Sequence, residues 1–493
     1  MNARALPLAA AIAAALLGPA CGVAATLPVT SCADDGSPGT LRSVVDSAVD
    51  GDTVDMTQLA CSTITLTQGA IDVTPLGPNP LHDLTILGPG QAALTVSGDQ
   101  RSAVFLLGGP SAFYGGTFLL SDFTIAHGAK YDAAACVASF SGDLVLDRVT
   151  VTDCHSLQAN YMQGGGAVSS YYLTLTDSTI SDSSVTAIGQ GVATGGGIWA
   201  KFATVTGSTI SGNSANAEGQ ANYSFRYQTS GGGIYAGRSL TLTDSTVSNN
   251  HAEATAVGED ANGGGIAARG FVTVTGSTLS GNSADGTGGG LFAGFTVYQY
   301  ALVSDPDWVI RNTTVTGNSA ELGGGIAFEL DATLSNSTIA FNESTYGGAV
   351  AAIPFFASRG GSSSLFLDSA IIASNSAGPT AQHVADLAAS SSVTLNVVGA
   401  NNLIGTADAA IALPADTLHN DPQLLPLAWN GGQTQTLALA SGSPAIDAGN
   451  NVANLATDQR GDGFVRVYGT NADIGAFEVQ PMPDPIFASG FDP

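Results

Sequence analysis

A glycine triplet followed by an aliphatic residue recurs down the middle of the chain, and it limits the fold more than any other feature. Triplets begin at Gly164, Gly195, Gly231, Gly263, Gly288 and Gly323, with a shortened copy at Gly347-Gly348. A Ser-Thr-Ile-Ser-Gly-Asn-Ser-like phrase accompanies them at 208–214, 245–251, 277–283, 313–319, 337–343 and 370–376. The repeat interval runs from 24 residues (323 to 347) to 37 (208 to 245). A two-part motif returning at that interval means one structural unit stacked many times.

One copy, 231–250, shows how the unit folds. After the triplet come Ile234-Tyr235-Ala236 and a turn at Gly237-Arg238. Ser239-Leu240-Thr241-Leu242-Thr243 alternates polar and apolar, which is the period of a strand. Asp244-Ser245 turns the chain, Thr246-Val247-Ser248 forms a third short strand, and Asn249-Asn250 turns it again. Three strands and three turns make one coil of a solenoid. Ile234, Leu240, Leu242 and Val247 point inward and the threonines outward. About ten coils between residues 85 and 405 predict a rod on the order of 50 Å long, at ~4.8 Å per coil. The first glycines supply φ > 0 at a tight corner. Asn213, Asn250, Asn282, Asn318, Asn342 and Asn375 are expected to stack at one corner, bonding each other and the turn backbone. The fold class is all-β, a single-stranded right-handed parallel β-helix with an N-terminal helix cap and a C-terminal β cap.

This repeat resembles that of right-handed parallel β-helices, and especially of bacterial polymorphic outer-membrane proteins, over about residues 145 to 376. At the N-terminal end, Leu41, Val44, Val45 and Ala48 share one helical face, with Thr40 as N-cap. That segment resembles the Gly-Thr-Leu-Arg…Gly-Asp-Thr opening of secreted bacterial β-helix proteins. At the other end stand Asn401-Asn402-Leu403-Ile404-Gly405, Asn430-Gly431-Gly432, Ser443-Pro444-Ala445-Ile446-Asp447, Asp458-Gln459-Arg460-Gly461 and Asp473-Ile474-Gly475-Ala476-Phe477-Glu478. Together these look like the choice-of-anchor Q region of secreted bacterial proteins, with Trp429 departing from the pattern. The resemblance implies an exported or surface-attached protein with no established reaction. Asp447, Arg460, Asp473 and Glu478 are expected to pair around Arg460 and lock this region onto the last coil. The chain divides into a signal peptide (1–25), an N-terminal cap with the first coils (26–84), the β-helix (85–405), the C-terminal cap (406–480) and a tail (481–493).

The signal peptide is read from Arg4, the apolar stretch 8–17 and small residues before a cut after Ala25. It places the protein outside a Gram-negative cell or on its surface. No later segment is long and apolar enough for a membrane-spanning helix. After cleavage Cys32, Cys61, Cys136 and Cys154 remain, an even number in an exported chain. Proximity favours Cys32–Cys61 and Cys136–Cys154 among the three pairings four cysteines allow. Lys and Arg total 13 against 40 Asp and Glu, a formal charge of −27. This excludes nucleic acid as a partner, because phosphate neutralisation needs clustered cations. Polyanionic polysaccharides meet the same overall repulsion.

Catalytic signatures are missing. A polygalacturonase-like site needs an Asp pair, Gly-His-Gly and Arg-x-Lys, whereas the nearest fragment is Ala126-His127-Gly128 and no Arg-x-Lys exists. A lyase needs a cationic base beside calcium-binding carboxylates, and the only lysines are Lys130 and Lys201. No catalytic residue is assigned. Function is sought instead where loops of unequal length break the repeat, since such loops project from one side of a solenoid. Two carry aromatics: Tyr223, Phe225, Arg226 and Tyr227 in one, Tyr298, Tyr300 and Trp308 in the other. These suit stacking on sugars or contact with proteins. Glu259, Asp260, Asp305 and Asp307 leave room for structural calcium, and no other cofactor is implied. The expected protein is a monomeric, non-catalytic binder of cell-surface glycans or proteins. The alternative is a polysaccharide lyase or glycoside hydrolase on the same scaffold.

Overall fold

The computed structural model describes residues 24–73, 83–108, 116–159, 164–188, 192–218, 229–255, 261–294, 308–354, 361–378 and 384–481. Among them the one helix is Leu41–Ser47, and strands fall into sheets of 21, 12, nine and three members. Strands pair with their counterparts one coil on, parallel and in register: Thr209–Ser211 with Thr246–Ser248, and Thr246–Ser248 with Thr278–Ser280. The coil read from sequence is observed as Ile234–Thr243, Thr246–Ser248 and His251–Ala254. The chain is therefore a parallel β-helix. Its 12-stranded sheet runs from Thr63–Thr65 to Leu403–Ile404 among the described residues.

Burial explains why the coils must stack. Ile180, Ile210, Val247, Leu279, Val315, Ile339, Ile372 and Ile404 form one unbroken inward column, each fully buried. Each such side chain contributes about 1.5–3 kcal/mol when covered, but only the neighbouring coil can cover it.

The corners are held by two hydrogen-bonded ladders. In one, each Asn accepts from the next-lower Asn: Asn213 Nδ2 donates to Asn250 Oδ1 at 3.0 Å, and Asn250 Nδ2 to Asn282 Oδ1 at 3.0 Å. The run continues through Asn318, Asn342 and Asn375, and Asp386 ends it by accepting from Asn375 Nδ2 at 2.8 Å. The second ladder, at the corner where the chain enters the 12-stranded sheet, uses serine: the amides of Ser178, Ser208 and Ser245 donate to the hydroxyls of Ser208, Ser245 and Ser277. Glycine and asparagine are coupled. Gly231 turns with φ +72°, and a Cβ on Gly233 would sit 2.9 Å from the Asn250 amide carbon, so the stacked amide occupies the space a side chain would need.

The first coil is covered by the helix, with Leu41, Val44 and Val45 buried and Thr40 Oγ1 accepting from the Ser43 amide. Arg42 clamps Asp34 bidentately at 2.8 and 3.0 Å and also bonds the carbonyls of Gly69 and Ala70. Burial alone would raise the Asp34 carboxyl. Arg42 and the amides of Gln68 and Thr67 outweigh it and hold the group below its ordinary value. A depressed carboxylate contributes stability that is lost as pH falls through its folded pKa. Acidification below the ordinary Asp range is thus expected to release residues 26–73 first, read as faster amide exchange there than in the central coils. Arg42→Ala should produce the same loosening at neutral pH. Disulfides join Cys32 to Cys61 and Cys136 to Cys154.

The C-terminal region corrects one expectation. Leu418 bridges Leu403 at the end of the solenoid, but the chain then returns along its side. The Thr278 hydroxyl donates to the Gln435 carbonyl, Thr314 to Gln459 Oε1, Asn312 Nδ2 to the Thr457 carbonyl, and the Ala476 amide to Thr338. The region lies over the outer face of the 12-stranded sheet and reaches from the last coils, where Asn401 bonds the Ala448 carbonyl and Ser369 bonds Asn450, several coils back to Thr278. Of the other three polar residues only Glu478 reaches Arg460, its backbone carbonyl accepting from Arg460 Nη2 at 2.5 Å. Arg460 pairs with Asp458 at 2.6 Å, its guanidinium between the rings of Phe464 and Phe477. The Glu478 carboxylate instead pairs with Arg466 at 3.0 Å, and Arg466 also bonds the Asp473 carbonyl. Asp473 accepts from the amides of Asp447 and Val479, and Asp447 from that of Thr470. A fully buried Arg466 forms the hub because its fork can satisfy several carbonyls at once.

Candidate functional site

Tyr223, Phe225, Arg226, Tyr227, Tyr298 and Tyr300 lie outside the described residues, as do Glu259, Asp260, Asp305 and Asp307. The strands leading into 189–191, 219–228 and 256–260 stack in register. Trp308 is not a surface residue. It opens the strand Trp308–Arg311 at an inward position beside Val272 and Ala332, is 2% exposed, and donates its indole N–H to the Gly270 carbonyl. Its place next to Asp307 gave it the look of a loop residue, but strand alternation turns it into the core.

Exposed aromatics appear elsewhere, on the outer face of the long sheet. Tyr172, Phe202, Ser239 and Phe271 occupy one register position on four successive coils. Tyr171, Tyr172 and Phe271 are 39%, 46% and 44% exposed. The rings of Tyr172 and Phe202 stack with centroids 4.9 Å apart and planes 8° from parallel, and Tyr171 leans on Tyr172 at 5.2 Å. A local break in strand alternation creates the cluster. In Val168–Thr176 the burial order places two neighbours, Tyr171 and Tyr172, outward together, and Lys201 and Phe202 repeat this one coil on. The next coil inserts a residue, so that Ala200 faces Ala236 but Phe202 faces Ser239, which leaves Gly237 and Arg238 opposite Lys201. Bulges of this kind re-aim side chains.

The same bend gathers cations. Lys201 Nζ lies 4.1 Å above the Tyr171 ring and contacts its hydroxyl. Partial burial, and next the charge of Arg238, hold the Lys201 ammonium below its ordinary pKa. Neither Lys201 nor Arg238 forms an ion pair with a carboxylate among the described residues. On the next coil Arg269 lies 5.8 Å over the Tyr235 ring. Beside the aromatic column run two rows of threonine, Thr174, Thr204, Thr241, Thr273 and Thr176, Thr206, Thr243, Thr275, in register. The surface therefore offers aromatic rings, two cations and rows of hydroxyls side by side. Aromatic faces stack on the C–H faces of sugars, hydroxyls exchange hydrogen bonds with theirs, and cations take anions. The sequence signal for this site was the placement of Tyr172, Phe202 and Phe271 where the repeat otherwise puts a polar residue.

A second concavity lies between the solenoid and the returning C-terminal region, lined by Asp244, Asn312, Asp458, Arg460 and Asp462 among others. Burial, then the charge of Asp462, raises the Asp244 carboxyl. Among the described residues no three His, Cys, Asp or Glu side chains converge as a metal site, and no helix is long and apolar enough to cross a membrane.

No family model matches the chain. No curated protein matches it either. A solved structure it resembles is the crystal structure of a pectate lyase, at 11% sequence identity and a TM-score of 0.41, over 93% of this chain and 97% of the other. The assignment of a parallel β-helix stands on the chain's own strand register.

Proposed function

We propose that this protein is an exported, non-catalytic β-helix that binds glycans at a bacterial surface through the Tyr171–Tyr172–Phe202–Phe271 strip. In this reading the leader exports the chain, the repeat is of the polymorphic outer-membrane protein kind, and the C-terminal region is of the choice-of-anchor kind. The observation that carries the proposal is the exposed Tyr172 stacked on a half-buried Phe202, with the exposed Phe271 in line. Large rings held open to water on a rigid sheet are costly unless something covers them in use. The protein acts as a monomer, and its contribution is adhesion.

The test is a glycan array with the mature protein, run beside a reducing-sugar release assay. Binding to at least one glycan class is expected, with no sugar release. Tyr172→Ala with Phe202→Ala should weaken that binding about tenfold or more, since each ring contributes about 1 kcal/mol beyond the area it covers. Sugar release by the mature protein would overturn the non-catalytic reading. A second reading, hydrolysis, is favoured by the raised Asp244 carboxyl in a groove beside Asp462. A carboxyl whose proton is held more tightly than usual, beside a second carboxylate, is the arrangement a general acid requires. It requires that sugar release occur and vanish in Asp244→Asn.

A further inference from the structure

We infer that the aromatic strip recognises an anionic saccharide, one bearing carboxylate or sulfate groups, with Lys201 and Arg238 as the residues that select it. The inference rests on the glycan-binding reading and adds the charge of the ligand. Its starting point is an inconsistency between the whole molecule and this site. The chain carries 13 cationic side chains against 40 acidic ones. Elsewhere in the fold, five arginines are matched to carboxylates, Arg42 to Asp34, Arg101 to Asp99, Arg148 to Asp122 and Asp147, Arg460 to Asp458 and Arg466 to Glu478, whereas Arg311 pairs with no carboxylate among the described residues. Lys201 and Arg238 stand together on adjacent coils without such a partner among the described residues. Two like charges brought together on a surface with so many acids to spare are an arrangement that an external anion would complete.

Position supports the same conclusion. The strand bend that turns a half-buried Phe202 outward also turns the half-buried Lys201 outward beside it, and the inserted residue on the next coil brings Arg238 opposite. Ring faces and cations therefore border the same surface. A sugar lying against the outer edge of the stacked Tyr172–Phe202 pair would hold an acidic substituent beside the ammonium and the guanidinium. A charge-assisted hydrogen bond there is about twice as strong as a neutral one. The overall charge of −27 does not forbid this, because at physiological salt charges beyond about 8 Å are largely screened. It does predict that lowering salt helps less than a local pair alone would suggest.

The experiment measures binding of the mature protein to three probes: polygalacturonate for carboxylate, heparin for sulfate, and a neutral β-glucan. Each is measured at about 0.1 M and about 1 M NaCl, where the Debye length falls from about 10 Å to about 3 Å. The variants are Lys201→Gln with Arg238→Gln, the conservative Lys201→Arg, and Tyr172→Ala with Phe202→Ala. At least one anionic probe is expected to bind more tightly than the glucan and to weaken at high salt. The double glutamine variant should lose about tenfold or more of that affinity while its melting curve is unchanged. Lys201→Arg should retain it. Which anionic probe binds decides between carboxylate and sulfate, and either supports the inference. If the glucan binds as well as the anionic probes and the glutamine variant binds as wild type, the inference fails while the glycan reading stands. If no probe binds, and the aromatic variant changes nothing, both fall.

Discussion

Asn250→Ala is expected to destabilise the central coils by about 3–5 kcal/mol, a large effect for one small side chain. Its amide makes four buried bonds, each 3.0 Å long: it accepts from Asn213 N and Asn213 Nδ2, and donates to the Ile210 carbonyl and to Asn282 Oδ1. Alanine removes all four bonds and strips the Asn213 amide of the Asn250 acceptor, while Asn282 Oδ1 keeps the Asn250 backbone amide and Asn213 Nδ2 keeps the Ile180 carbonyl; a buried group left unsatisfied costs about 1–3 kcal/mol. Chemical denaturation reads the total, and amide exchange at Asn213 reads the site. Asn250→Asp keeps the acceptor but removes both donors and buries a charge. The introduced carboxyl should titrate above its ordinary range, so that variant is expected to recover stability as pH falls. At Asn375, which is half-buried and bonded to Asp386, alanine should cost less. A uniform loss of about 1 kcal/mol at both positions would show that the ladder contributes nothing beyond ordinary polar contacts.

Arg466→Met is the second large effect. The guanidinium is fully buried, pairs with Glu478, and bonds the carbonyls of Asp473 and Gly475. Removing one partner of a buried pair costs about 3–5 kcal/mol because the other charge is stranded. The loss should fall on the returning C-terminal region, which the solenoid does not need for its own stacking. Limited proteolysis is expected to cut between residues 420 and 480 while the coils up to residue 405 survive. Arg466→Met combined with Glu478→Leu should restore much of the resistance, since neither charge is then left alone. Burial raises the Glu478 carboxyl, and folding therefore favours its protonation. The single variant should accordingly be more resistant at low pH than at neutral pH. Equal cleavage of the solenoid and the C-terminal region would refute this local assignment.

The candidate site was only partly legible in the sequence. The aromatic residues singled out there were chosen for lying between copies of the repeat, and Trp308 proved to be a core residue. Tyr172, Phe202 and Phe271 are dispersed at intervals of about thirty residues or more, and only in-register pairing brings them into one column. Lys201 and Arg238 likewise become neighbours only because the chain advances one coil between them. Arg466 carried no motif of its own, and its burial depends on how the C-terminal region lies on the flank.

Repetition is what sequence alone could decode. Strand alternation in Ser239–Thr243, the left-handed corner at Gly231 and the Asn that stacks beneath Gly233 are local requirements, repeated in each coil. A parallel stack follows from them because one coil cannot bury its own apolar face. The return of residues 420–480 along the 12-stranded sheet and the aromatic strip follow from none of these. Each depends on which residues the stack places side by side, and that is set by the summed lengths of the intervening turns and insertions. Local periodicity determined the coil, and tertiary register decided the surface it presents.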